Sequence, residues 1–175
     1  MTGLNRFLDV MAGALRAAIT VMLGVMLAIN AVNIIWRSLT DHAFGWVFPW
    51  TMLLFVWMLF LGLYVYMRER RDVVVDIIAG NLPAALRLAV ALASDIIAII
   101  VMLLILKAAP SIIKLQLGQM EAIDLPIYVR SLPLFVSAAL LVLHFGVHAI
   151  GLLTGAEKAF PRHKHTTVVE EGAPE

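Results

Sequence analysis

Residues 43–67 read AFGWVFPWTMLLFVWMLFLGLYVYM and contain no Asp, Glu, Lys or Arg. About 20 mostly apolar residues are enough for an α-helix to cross the roughly 30 Å of hydrocarbon in a bilayer. Three tryptophans lie in the stretch, and Trp46 and Trp50 are close to its first end, where aromatic side chains line membrane surfaces. Residues 43–67 are therefore predicted to form a transmembrane helix.

Three further stretches are long and apolar enough to span a membrane. They are residues 17–36, 82–106 and 131–156, which together contain one arginine and one carboxylate. The period-two alternation of a membrane β-barrel does not occur in the sequence. The chain is predicted to be an all-α integral membrane protein, with a four-helix membrane domain over residues 1–160. Residues 161–175 are polar and are predicted to be a disordered tail.

The composition agrees with this fold class and excludes several others. Hydrophobic residues make up 62% of the chain and charged residues 14%, with a mean hydropathy of +0.96. A soluble domain of this size buries only about 70% of its surface and cannot hide so much apolar area. The net charge of +1 excludes a nucleic-acid-binding surface, and the absence of cysteine excludes disulfides and thiolate chemistry.

Basic residues are unevenly divided between the two sides of the predicted helices. One side holds four of them, Arg37, Lys107, Lys114 and Arg130. The other side holds nine, Arg6, Arg16, Arg68, Arg70, Arg71, Arg87, Lys158, Arg162 and Lys164. Because connections rich in Lys and Arg stay in the cytoplasm, both termini are predicted to be cytoplasmic. The arginines directly after the second span are interpreted as a topological anchor against anionic headgroups.

Two connections between spans carry their own predictions. Residues 37–42 form so short a turn that the first two helices are expected to be antiparallel neighbours. Residues 72–81 read DVVVDIIAGN, which is too short to span and too apolar for a solvated loop. They are predicted to form an amphipathic segment along the cytoplasmic interface, with Asp72 and Asp76 on one face.

His144 and His148 share one face of the fourth predicted helix at i,i+4 spacing. One interpretation is haem or metal ligation, as in a haem-binding membrane anchor of a respiratory complex. A b-type haem held by two histidines usually takes them from different helices, and no other span contains a histidine. The favoured interpretation is hydrogen bonding between helices, because polar side chains join helices in membranes.

Asp95 is the only carboxylate well inside a span. An acid at membrane depth is a candidate functional group, and in a small proton-coupled carrier it would face a water-filled path. The favoured alternative is a polar contact within the protein or to another subunit. Asn30 and Asn33 share a face of the first span and are predicted to hydrogen-bond across helices. No phosphate-binding loop, carboxylate pair or Ser-His-Asp arrangement occurs, so no enzyme, cofactor or metal site is predicted.

Short motifs around the first two spans occur in an order typical of one family. The first span ends with Asn33, three further residues and then Arg37. After a short turn comes Trp46, and residues 56–62 then read VWMLFLG, which includes Trp57.

The second half of the chain continues the pattern with a basic patch, the segment from Asp72 to Asp76, and prolines at the entry to the last span. From residue 5 to about 156, the chain resembles the small membrane subunit of tripartite ATP-independent periplasmic (TRAP) transporters, the DctQ-like family. Two positions depart from that pattern. Phe48 and Pro49 stand where the family has Glu, and Asp72 stands where it has His.

The resemblance implies a component of a sodium-coupled importer of organic acids in the bacterial inner membrane. A much larger membrane subunit would carry the substrate and sodium sites and move as an elevator, and a periplasmic binding protein would deliver the substrate. The small subunit would be a stationary scaffold, surrounded by membrane lipids. The structural or interface candidates are Asn33, Arg37, Trp46, Trp57, Asp72, Asp76 and Asp95.

Overall fold

The computed structural model describes residues 2–69, 83–120 and 123–155. Within them lie four α-helices, α1 (Thr2–Thr40), α2 (Val47–Arg68), α3 (Ala84–Leu115) and α4 (Leu132–Leu153). Each is long and apolar enough to cross a membrane, which confirms the prediction of an all-α protein with four transmembrane helices. The predicted interfacial segment at residues 72–81 and the tail at 161–175 lie outside the described residues.

The first helix is much longer than its apolar stretch. It has 39 residues and begins at Thr2, whereas the charge-free sequence starts only at Ala17. Residues 2–16 contain no proline, and their charged side chains are compatible with a helix, so the α-helix continues past the apolar stretch. It ends at Thr40. The next residue, Asp41, has a φ of 58°, in the left-handed region, and its N–H donates to the Arg37 carbonyl at 2.9 Å.

Prolines mark the starts of two spanning helices. Pro49 is the third residue of α2, and Pro133 is the second residue of α4. Both lie in a first turn, where the missing N–H of proline has no helical acceptor to lose. Pro110 is different, because it lies inside α3 and removes one hydrogen bond from that helix.

A short hairpin and a 3-10 helix connect α3 to α4. Strand β1 (Gln119–Met120) pairs antiparallel with β2 (Ile123–Pro126), with an irregular register that places Met120 opposite Ile123. The 3-10 helix (Ile127–Arg130) leads directly into α4. Main-chain N–H groups of Ile127 and Tyr128 donate to the carbonyls of Gly118 and Gln116, so the connection is closed by its own backbone.

The helices pack as a row. Extensive contacts join α1 to α2, α2 to α4, and α4 to α3. The most apolar window of α4 is 44% buried, whereas that of α1 is 0% buried, so α4 is central and α1 lies at an edge. The main buried cluster lies where α1, α2 and α4 meet, and consists of Leu8, Ala12, Tyr64, Val65, Leu140 and Leu141.

Candidate functional site

Arg68, the last residue of α2, contacts two other helices, α1 and α4. Its Nε and Nη2 donate to Oδ1 of Asp9 on α1 at 3.0 and 2.8 Å. Nη2 also donates to the main-chain carbonyl of Asn5 at 3.1 Å, and Nη1 donates to Nδ1 of His144 on α4 at 3.0 Å. Only 13% of the Arg68 side chain is exposed. Asn5, Asp9, Arg68 and His144 are called the Arg68 cluster below.

The contact with Arg68 defines the chemical state of His144. A guanidinium group is always protonated and can only donate hydrogen bonds. Nδ1 of His144 must therefore accept, which places the ring proton on Nε2. The residue is buried, with 4% of its surface exposed. His144 thus acts as a neutral hydrogen-bond acceptor that joins α4 to α2.

Tyr64 lies one turn before Arg68 on the same face of α2. It is fully buried, and its hydroxyl donates to the main-chain carbonyl of Leu8 at 3.0 Å. Leu8 is also fully buried, and it packs with Leu140 and Leu141 of α4. The first turns of α1 are therefore held against α2 and α4 both by apolar packing and by polar contacts.

A second polar contact at membrane depth joins α3 to α4. Nδ1 of His148 lies 2.7 Å from Oδ2 of Asp95, and the Asp95 side chain is 6% exposed. At this distance one hydrogen bond joins the imidazole to the carboxylate. His144 and His148, one turn apart on α4, thus connect that helix to α2 and to α3 respectively.

At the opposite end of the helices, called the hairpin end because the β1–β2 hairpin lies there, α2 is joined to the entry of α4. The indole Nε1 of Trp57 donates to the Val129 carbonyl at 3.1 Å. One turn further along, the Ser137 hydroxyl donates to the Phe60 carbonyl at 2.5 Å. Together with Arg68 and His144, these contacts run in order along both helices, so α2 and α4 lie parallel and in a defined register.

The turn between α1 and α2 is closed by two asparagines. Oδ1 of Asn33 accepts from the main-chain N–H of Phe44 at 2.8 Å. Nδ2 of Asn30 donates to the Thr51 hydroxyl on α2 at 2.9 Å, which is a hydrogen bond across helices as the sequence predicts. Both side chains are half-buried, and both tie the end of α1 to the start of α2.

The remaining family-motif positions lie at the surface or outside the described residues. Arg37 is exposed in the last turn of α1, and Trp46 is 50% exposed. The rings of Trp46 and Phe44 are 6.1 Å apart, and Phe44 stacks on Trp36 at 5.3 Å. Asp72 and Asp76 lie outside the part of the chain that the structure describes.

Sequence reasoning alone did not identify the Arg68 cluster as an interior site. The sequence predicts that Arg68 is part of a topological anchor, whereas the structure places it among three helices. A signal was present, because Trp57, Tyr64 and Arg68 are spaced seven and four residues apart and so share one helix face. Asn5 and Asp9 carried no comparable signal, since their contacts depend on how α1 crosses α2.

The two intramembrane histidines are poorly placed for haem. Axial ligands approach an iron from opposite sides of a flat macrocycle, whereas His144 and His148 project from the same helix one turn apart. Nδ1 of each ring is also engaged, by Arg68 and by Asp95. Among the described residues, no group of three or more His, Cys, Asp or Glu side chains is arranged to hold a metal ion.

The family model for the DctQ component of tripartite ATP-independent periplasmic transporters matches residues 26–155. The match runs from the last third of α1 to just beyond the end of α4 and covers most of the chain. This chain belongs to the DctQ family. It is thus a multi-pass membrane component of a TRAP transporter, and its family is a transporter family rather than an enzyme family. No curated protein and no solved structure matches the chain.

The geometry explains the motifs that this DctQ chain carries. Asn33 closes the first turn, and Trp57 joins α2 to the entry of α4. Gly62 lies against α1, where an added Cβ would be 3.9 Å from Cδ1 of Ile19. The motif residues on α2 therefore lie at contacts with the neighbouring helices on both sides.

Proposed function

We propose that this DctQ chain is the small membrane subunit of a TRAP transporter and serves as its stationary scaffold. A larger, elevator-type membrane subunit would carry the substrate and sodium sites. A periplasmic binding protein would deliver organic acids for sodium-coupled import across a bacterial inner membrane. The proposal places both chain termini in the cytoplasm, in agreement with nine basic residues on one side and four on the other.

The observation that carries the proposal is the pairing of polar groups between the apolar helices. Asp95 is bonded to His148, and Arg68 to His144, so each group contacts a neighbouring helix. A carrier needs intramembrane polar groups that bind substrate or ions along a water-filled path. Within the described residues these four groups instead join helices to one another, which is the role expected of a scaffold.

The helix arrangement supports the same role. A row in which each helix contacts mainly its neighbours presents long apolar helix surfaces outward. The central helices α2 and α4 are joined at three levels, by Trp57, by Ser137 and by Arg68. Contacts at several levels hold the two central helices in one register, which supports a stationary role beside a moving subunit.

The decisive experiment is purification of the tagged chain from its native membranes in mild detergent, followed by mass spectrometry and reconstitution. We expect a stoichiometric, much larger polytopic membrane protein to copurify. Liposomes with this complex and the binding protein should take up organic acids only with a sodium gradient, whereas liposomes with the DctQ chain alone should not. Uptake by the chain alone, or a cytochrome b absorbance band in the purified complex, would overturn the proposal.

The substitution Asp95→Asn separates a scaffold from a carrier within the same assay. It keeps a polar side chain beside His148 but removes the carboxylate. As a scaffold variant it should reduce uptake by the complex by no more than about threefold, the factor that corresponds to the average free energy of an interhelical hydrogen bond, about 0.6 kcal/mol. Ser94→Ala, at the exposed neighbouring position, is the matched control. Complete loss of uptake in a folded Asp95→Asn complex would contradict the scaffold role.

A further inference from the structure

The first four turns of α1 extend beyond any membrane-spanning requirement. Helix α1 has 39 residues, about 58 Å at 1.5 Å per residue, against about 30 Å of hydrocarbon. Its charge-free part, residues 17–36, is already long enough to span. The segment Thr2–Arg16, called the N-terminal segment below, must therefore lie in another environment.

The contacts of α1 show that its N-terminal segment crosses α2 obliquely. Leu8 and Ile19 are eleven residues apart, yet they meet Tyr64 and Gly62, only two residues apart on α2. Between Ile19 and Asn30, in contrast, α1 advances eleven residues while α2 also advances eleven, from Gly62 to Thr51. The second half of α1 therefore runs alongside α2, and the N-terminal segment runs across it towards α4.

Three different faces run along the N-terminal segment, about 120° apart on a helix with about 100° per residue. One face is buried against α2 and α4 and is centred on Leu8 and Ala12. A second face is apolar but exposed, with Phe7 at 52% and Val10 at 63% exposure. The third face is exposed and carries the charges, which belong to Arg6, Asp9 and Arg16.

This division matches a helix that lies in the membrane surface beside a bundle. With one face packed sideways on the bundle, the apolar face can enter the acyl region while the charged face remains among headgroups and water. Ion pairs to α2 stabilise the arrangement, because Asp9 contacts Arg68 and Arg16 contacts Glu69. Arg6, whose side chain is exposed, is the cation placed to meet lipid phosphates.

We propose that the N-terminal segment of α1 is an interfacial anchor that inserts Phe7 and Val10 into the headgroup–acyl boundary of an anionic bilayer. The partner is the lipid surface itself, recognised by the apolar face and by the guanidinium of Arg6. The Arg68 cluster bonds this segment to α2 and α4. The segment therefore fixes the position of α1, the edge helix of the row, at one membrane surface. This inference does not depend on the proposed transport function.

The absence of cysteine allows a direct test with single-cysteine spin labels in the full-length chain. Phe7→Cys and Val10→Cys probe the apolar face, and Gly13→Cys probes the charged face, where an added Cβ meets nothing within 4 Å. Each labelled variant is placed in nanodiscs that contain phosphatidylglycerol, and its accessibility to oxygen and to a water-soluble nickel chelate is measured. We expect labels at 7 and 10 to favour oxygen and the label at 13 to favour the nickel chelate.

Two outcomes would overturn the proposal. Equally high accessibility to the nickel chelate at all three positions would place the whole segment in water. Protection of positions 7 and 10 from both reagents, seen only in the complex purified from native membranes, would make the face a protein interface. Unchanged helix content by circular dichroism shows that each labelled variant is folded.

The charge contribution is tested with Arg6→Gln, matched by Arg37→Gln at the exposed end of the same helix. A single arginine near an anionic surface corresponds to about a fivefold preference. The measured quantity is the preference of the chain for spin-labelled phosphatidylglycerol over phosphatidylcholine, followed as the fraction of anionic lipid is raised. Arg6→Gln should lower this preference about fivefold. An effect of Arg37→Gln as large as that of Arg6→Gln would overturn the assignment of Arg6.

Discussion

Nδ1 of His148 and Oδ2 of Asp95 are 2.7 Å apart and join α4 to α3 at membrane depth. Helix α3 packs mainly on α4, so this contact is a principal polar link between α3 and the rest of the protein. Asp95 is buried, with 4% of its surface exposed, and both residues lie within predicted spans. The pair therefore has consequences for stability that can be measured directly.

Replacing only one partner of this pair should lower the free energy of unfolding more than replacing both. Asp95→Leu leaves a ring nitrogen of His148 without its acceptor, and an unsatisfied buried polar group costs about 1–3 kcal/mol. We expect the double variant Asp95→Leu/His148→Leu to recover part of that loss in the free energy of unfolding, measured by detergent-titrated unfolding and circular dichroism. Ser94→Ala is the control. Equal destabilisation of the single and double variants would show that the two residues are not coupled.

Arg68 should not be replaceable by lysine. Its planar group donates to α1 and to α4 at the same time, whereas lysine donates from one nitrogen and cannot reach both. Arg68→Met should lower the free energy of unfolding by about 1.5–3 kcal/mol, the range for hydrogen bonds to charged groups, and Arg68→Lys should restore only part of it.

Arg16 provides the matched control for Arg68. It also pairs with a carboxylate, that of Glu69, but its side chain is 59% exposed. Exposed ion pairs contribute about 0–1 kcal/mol, so Arg16→Met should have the smaller effect in the same unfolding assay. A loss as large as that of Arg68→Met would argue against a special role for the Arg68 cluster.

Trp57→Phe tests the contact between α2 and the entry of α4. The substitution keeps an aromatic ring but removes the N–H that donates to the Val129 carbonyl at 3.1 Å. We expect a loss of about 1 kcal/mol in the free energy of unfolding. Trp50→Phe, at a 39% exposed position of the same helix, should leave stability nearly unchanged. The prediction fails if the two substitutions behave alike.

Gly62→Ala should be tolerated although Gly62 lies in a family motif. An added Cβ would be 3.9 Å from Cδ1 of Ile19, which is an ordinary van der Waals distance. Gly62→Leu, in contrast, would force α1 away from α2 and should lower stability by about 1–3 kcal/mol, as overpacking does. Gly24→Leu is the control, because a Cβ there meets nothing within 4 Å. Strong destabilisation by Gly62→Ala would indicate closer helix packing than the structure has.

The spans could be predicted well because hydropathy measures a property of each segment on its own. Apolar composition predicts spans at residues 43–67 and 131–156; α2 ends one residue beyond the first range, and α4 lies within the second. The sequence predicts a first span over residues 17–36 only, so the N-terminal segment of α1 lies outside it. Its charged residues lower the hydropathy, although they do not interrupt a continuous helix that begins at Thr2.

The candidate site could be predicted only in part. The spacing of His144 and His148 indicates a shared helix face and favours hydrogen bonding between helices. It does not identify the residues to which the two histidines bond. Arg68 and Asp95 are 76 and 53 residues away from these histidines in the chain. Such distant pairs depend on the rotation and vertical register of whole helices, which no local pattern encodes.

By itself, the sequence determined that this protein is a four-helix membrane protein, because each apolar segment must enter the bilayer whatever its neighbours do. The tertiary structure alone decided that α2 and α4 lie side by side, that Arg68 lies partly buried among three helices, and that the first turns of α1 cross the bundle. The physical reason is that all four helices are apolar on most of their surface. Hydrophobicity alone therefore does not select one packing of the helices. A few polar contacts and the shapes of the side chains select it, and these act only between helices that are already in contact.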